Sequence, residues 1–170
     1  RQRQMCIRDR GALAQLEASL DQMRADYVLG DVVTVGLEPP AASAFARCYL
    51  EAYELWGRRT WAFGGADATK GVAAALEQLR LEGERTRLVA TDDASAVPDD
   101  LPEQVAVLRL GDGIGAEHAA LIDALYERVG HGGSVQAEPT AAAGAALDGL
   151  AQRARVTERD AHGGWRKEAD

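Results

Sequence analysis

The sequence predicts an α/β protein: a mostly parallel, doubly wound sheet with helices on both faces. Three observations carry this prediction. Short runs rich in β-branched and apolar residues recur at Asp31–Gly36, Arg59–Phe63, Thr86–Ala90, Gln104–Leu110 and Ser134–Glu138. Segments with apolar residues at helical spacing separate most of these runs. Several of the runs, DVVTVG and QVAVLRL above all, lack the strict polar–apolar alternation of a one-sided sheet, as expected of strands buried on both faces.

Ala12–Asp26 carries Leu13, Leu16, Leu20 and Met23 on one helical face. Phe45, Cys48, Tyr49, Ala52, Tyr53 and Trp56 trace a second helix that stops at Gly57. After the second strand comes a turn at Gly64–Asp67. Val72, Leu76 and Leu79 then mark a helix ended by Gly83. The third strand leads into an acidic, proline-bearing loop from Thr91 to Pro102. The fourth is followed by a helix over Glu117–Val129, with Leu121, Leu125 and Val129 inward. An Ala-rich helix over Thr140–Ala154 follows the fifth strand, and the tail from Val156 to Trp165 adds an edge strand.

The chain has 170 residues, 46% apolar and 27% charged, with a formal net charge of −8. The length suits one domain with a sizeable core. The acidic balance argues against nucleic-acid or anionic-membrane partners. No segment approaches the roughly 18 apolar residues of a membrane span, and no secretory pattern is present, so a cytoplasmic location is expected. The first ten residues, RQRQMCIRDR, have the look of translated sequencing-adapter read-through and are set aside as a non-native scar. They hold four Arg and one Asp, so the single domain expected over 11–170 carries a net charge of −11. Cys6 lies in the scar and Cys48 stands alone, which rules out a disulfide framework or a zinc-type spacing. The three His, at 118, 131 and 162, form no ligand motif.

The stretch GDVVTVGLEPPAASAF, from Gly30 to Phe45, reads as strand, tight turn and helix start. In α/β folds this junction brings a nucleotide-like cofactor to backbone N–H groups. A second glycine-bearing junction, Gly111-Asp112-Gly113-Ile114-Gly115-Ala116, matches G-x-G-x-x-A after a strong strand and offers a dinucleotide-binding alternative. Its position on the fourth strand, and the 27 residues from Gly111 to Glu138, depart from the usual spacing of about 20.

The pieces LAQLEASLDQMRADYVLGDVVTVG, ELWGRRTWAF, LPEQVAVLRL, ALYERVGHGG and the terminal GGWRK occur in an order and spacing that resemble the macrocin O-methyltransferase (TylF/MycF-type) family. These are class I S-adenosylmethionine-dependent methyltransferases, and the resemblance spans Leu13 to Lys167. It implies a Rossmann-like fold, S-adenosylmethionine as cofactor and a divalent metal such as magnesium. The implied reaction is methyl transfer to a sugar hydroxyl of a natural product. By the same resemblance, cofactor contacts fall on Thr34, Gly36, Leu37, Glu38, Gly64, Asp92 and Asp93, and metal ligands on Asp112 and Glu138. His118 is the nearby candidate base, since an imidazole can accept a proton near neutral pH.

The chain departs from the family where the family's chemistry lies. Thr34 stands at an acidic position, and Pro40 and Ala41 replace a glycine pair. Gly64 falls where an acid would hold the ribose hydroxyls, and Gly65–Lys70 replaces a long lid. Gly111-Asp112-Gly113 replaces Asp-Gly-Asp, and Glu138-Pro139 replaces paired aspartates. Two functional expectations follow: a methyltransferase homologue with weak or no turnover, or a non-catalytic pseudoenzyme acting as a partner-binding or homodimerisation module.

Overall fold

The computed structural model describes residue 18 and residues 28–37, 58–78, 86–91 and 96–168. Apart from a helical Ala18, the helices expected at Ala12–Asp26 and Phe45–Trp56 lie outside them. So do the turn at 38–41, with Glu38, and the pair Asp92 and Asp93.

Among the described residues six strands form one sheet: β1 Asp31–Leu37, β2 Thr60–Gly64, β3 Thr86–Ala90, β4 Val105–Leu110, β5 Val129–Ala137 and β6 Trp165–Arg166. Their order is β3-β2-β1-β4-β5-β6, parallel throughout except for β6, which runs antiparallel to β5. The described helices are α1 Ala66–Gln78, α2 Ala119–Glu127 and α3 Ala141–Arg153, with a 3-10 turn at Ala116–His118 before α2. The first three strands step outward from β1 one way, whereas β4 and β5 step the other way. Right-handed crossovers therefore place α1 on one face, and the helices following β4 and β5 on the opposite face. The expected doubly wound α/β class is the observed one.

The strand pattern explains the two layers. Val33, Val35, Phe63, Leu108, Leu110 and Val135 share one core with Leu121, Ile122 and Leu125 of α2 and Leu147 and Leu150 of α3. On the other face a more polar row runs across the sheet in register: Ala62 on β2, Thr34 on β1, Arg109 on β4 and Gln136 on β5. All four are buried. Thr140 caps α3, its hydroxyl accepting from the Ala143 N–H at 3.3 Å.

The structure differs from the sequence expectation at three places. α1 begins at Ala66, so the turn expected over Gly64–Asp67 is only Gly65. Ala66 and Ala68 favour helix, and Asp67 complements the positive end of its dipole. β5 begins at Val129 and not Ser134, and the preceding helix stops at Glu127. Between the pairs Val105–Val129 and Val107–Ser134, β5 holds three more residues than β4. The excess bulges out over Gly130–Gly133, and the tail receives it: Gly132 N–H donates to Lys167 O at 2.7 Å and Lys167 N–H to Gly133 O at 2.8 Å. Third, the edge strand expected over Val156–Trp165 is confined to Trp165–Arg166. Between β3 and β4, residues 96–104 form neither helix nor strand, as expected of the acidic loop.

At the N-terminal edge of the sheet, the Trp61 indole N–H donates to Asp31 Oδ2 at 2.8 Å. Arg58 donates to the carbonyls of Gly30 and Val28 at 2.9 and 2.6 Å. Burial raises the Asp31 pKa above its ordinary value, outweighing the Trp61 hydrogen bond and the nearby Arg59 and Arg58 charges. Burial likewise lowers that of Arg58. Since Asp31 holds its proton to a higher pH in the folded state, its contribution to stability is greatest below the unfolded pKa. That contribution is lost as pH rises through the raised value. Asp31→Asn keeps an oxygen acceptor for Trp61 and is expected to raise the melting temperature at pH 7. The gain should shrink as pH falls toward the ordinary aspartate pKa, which thermal denaturation from pH 3.5 to 7.5 will show.

Candidate functional site

In a doubly wound sheet, ligands meet the C-terminal strand ends where the strand order reverses, here between β1 and β4. Gly36, the next-to-last residue of β1, has φ of +80°, a left-handed conformation that glycine adopts without strain. Pairing with β2 is interrupted there, passing from Val35–Phe63 to Leu37–Gly64. A Cβ on Gly36 would lie 2.6 Å from the Ile114 nitrogen, and one on Gly111 would lie 2.6 Å from the Gly36 carbonyl oxygen. The bare backbones let the loop after β4 lie directly across the end of β1. Gly111 N–H donates to Val35 O at 2.7 Å and Gly113 N–H to Gly36 O at 2.8 Å.

The same loop overturns the dinucleotide-binding alternative. Such a motif needs backbone N–H groups free to face a pyrophosphate. In Gly111–Ala116 the N–H groups of Gly111, Gly113, Ile114 and Gly115 all donate within the protein, to Val35, Gly36, Gly111 and His118. The loop enters a 3-10 turn over Ala116–His118, and α2 begins only at Ala119.

His118, the candidate base, is 6% exposed. Its Nδ1 accepts from the Gly115 N–H at 2.9 Å, and its own N–H donates to Gly115 O at 3.1 Å. The neutral ring therefore carries its proton on Nε2. In this arrangement the imidazole fastens the β4–α2 loop, and neither nitrogen is a free acceptor.

At the end of β2, Gly64 is buried and offers no carboxylate for a ribose. A Cβ at Gly64 would already lie 3.0 Å from Leu37 O, whereas Gly65 has open space beside it. Thr91 N–H donates to Gly64 O at 2.8 Å and ties the end of β3 alongside. Asp67, exposed in the first turn of α1, supplies a carboxylate three residues beyond Gly64. Gly36, Leu37 and Gly64 thus lie together. Thr34 lies deeper, within the buried polar row.

Asp112 is exposed just past β4, and Glu138 follows β5. Glu138 Oε1 accepts from Arg109 Nη2 at 3.0 Å, with side-chain exposures of 21% and 2%. Among the described residues no group of three or more His, Cys, Asp or Glu side chains is placed to hold a metal. Asp112 and a Glu138 already bound to a guanidinium do not fit a divalent ion, which needs several oxygen ligands. Arg109 is the residue that sequence reasoning passed over. Its signal was available, because an arginine inside the apolar run VAVLRL of a central strand must find a counter-ion.

Among solved structures, the chain is similar to the O-methyltransferase NovP, with a TM-score of 0.68 and 18% identity over 93% of this chain and 80% of that one. It is also similar to an assigned rRNA methylase from Clostridium thermocellum, with a TM-score of 0.52 and 14% identity over 85% of this chain and 80% of that one. No protein-family model and no curated protein matches the chain. At these identities the likeness establishes a Rossmann-like methyltransferase fold. Among the described residues, no helix is long and apolar enough to cross a membrane.

Gly36→Ala combines left-handed strain with overlap against the Ile114 backbone and is expected to cost about 3 kcal/mol in urea unfolding. Gly65→Ala, facing open space, should change stability by less than about 0.5 kcal/mol. His118→Ala should cost about 2 kcal/mol, with partial recovery in His118→Asn, whose amide oxygen can accept from Gly115.

Proposed function

We propose that this chain is a TylF-type S-adenosylmethionine-dependent O-methyltransferase homologue whose turnover is weak or absent. The observation that carries it is the C-terminal edge of β1 and β2. The backbone there retains a left-handed Gly36, Gly64 beside Leu37, and open space at Gly65. Thr34 and Gly64 stand where the resemblance places carboxylates that would grip the cofactor. The likeness to NovP supports an O-methyltransferase ancestry, and the sequence resemblance supports a natural-product sugar hydroxyl as acceptor.

Bound at this edge, S-adenosylmethionine would supply an electrophilic methyl group, with Gly36, Leu37, Gly64 and Gly65 offering close backbone approach. Weak retention follows from Gly64, which leaves the ribose diol without its carboxylate. Weak reaction follows from the proton that an acceptor hydroxyl must lose. His118 Nδ1 already accepts from Gly115, and Glu138 is neutralised by Arg109, so neither is a ready base. A second reading, a non-catalytic partner-binding or homodimerisation module, is favoured by the closed β1–β4 core standing beside altered site positions.

Calorimetric titration of residues 11–170 with S-adenosylmethionine should give a Kd weaker than about 1 mM, with no gain from magnesium. Micromolar affinity would contradict the weakened-site proposal. A strictly monomeric protein by size-exclusion chromatography with light scattering would count against the dimerisation reading.

A further inference from the structure

In the function proposed above, the buried arginine of β4 enters only as the group that neutralises Glu138. Arg109 is 2% exposed and cannot shed its proton, so its charge must be balanced inside the fold. Its in-register neighbours, Thr34 on β1 and Gln136 on β5, are uncharged. Glu138 lies two residues beyond Gln136, hence on the same face of the sheet and diagonal to Arg109. Among the described residues it is the carboxylate that reaches the guanidinium, at 3.0 Å. Arg109 Nε, also buried, finds no partner among the described residues, so the charge rests on this contact.

Glu138 is also one of the two carboxylates at the C-terminal ends of β4 and β5 on which a divalent cation would depend. It cannot serve both charges. Turning it to a metal would strip the counter-ion from a fully buried guanidinium and set a second cation close to the first. We propose that Arg109 permanently takes the place of a metal at this edge: Glu138 is its counter-ion, and the ends of β4 and β5 bind no divalent cation. The proposal is independent of methyl transfer, and its test uses neither cofactor nor acceptor.

Mn2+ serves as the probe, followed by electron paramagnetic resonance on the full chain, wild type and Glu138→Gln. Wild type should show no saturable binding tighter than about 1 mM that depends on Glu138. Saturable binding lost in Glu138→Gln overturns the proposal. Binding unchanged in that variant lies elsewhere on this acidic chain and agrees with it. Thermal unfolding supplies a second readout through Glu138→Gln, Arg109→Met and the double variant. Glu138→Gln leaves a buried charge unbalanced and should lower the melting temperature by about 5–10 °C. Arg109→Met, which leaves only a part-exposed carboxylate, should cost less, and the double variant should recover most of the Glu138→Gln loss. Equal losses that add in the double variant overturn the counter-ion assignment.

Discussion

The C-terminal edge of the sheet depends on one close approach, that of the β4–α2 loop to the end of β1. Gly36 has no Cβ, so the backbone of Ile114 can sit where a side chain would be. Gly111 and Gly113 then extend the β1–β4 contact past the strands by donating to Val35 and Gly36. His118 closes the arrangement from below by accepting from Gly115. Each step uses a backbone donor that a phosphate-binding loop would keep free. The switch point is therefore held together by the groups that, in a dinucleotide site, would hold the ligand.

The second organising fact is a charge in the wrong solvent. A guanidinium within the sheet is stabilised only while its carboxylate stays beside it, since the low-dielectric surroundings magnify both the attraction and the cost of losing it. Arg109 thus constrains the residue after β5 from inside the sheet, across the β4–β5 register. An edge built to coordinate a metal needs carboxylates directed outward and free to converge on one point. Here Glu138 is turned back toward the protein, and Asp112 is left on an exposed loop.

Much of the fold was legible in the sequence because it rests on local signals. β3 lies where its β-branched run placed it, and β1, β2 and β4 agree to within a residue at either end. α3 is framed by a threonine cap that the residue type alone suggests. The start of β5 was not legible: Gly130, Gly132 and Gly133 have low strand propensity, and the partner of Gly132 and Gly133, Lys167, is more than 30 residues away in the chain. That positions 34 and 64 carry no carboxylate was legible as well, since Thr34 and Gly64 can be read directly. The partner of Arg109 was not. It requires the register that sets Gln136 opposite Arg109, and so Glu138 diagonal to it, and register is a property of two strands together.

The antiparallel β6 has a consequence for the order in which the molecule completes itself. Trp165 and Arg166 cover the outer edge of β5 and follow α3 and a stretch of irregular chain. Until they dock, β5 presents unpaired N–H and C=O groups beside buried Val135, the kind of edge on which another strand can add. Two residues therefore act as a seal against misassembly. Trp165 anchors them in the core, with Tyr126 edge-on to its ring, while Lys167 donates to the Tyr126 carbonyl. Local opening of this short tail would expose a sheet edge long before the central strands loosen.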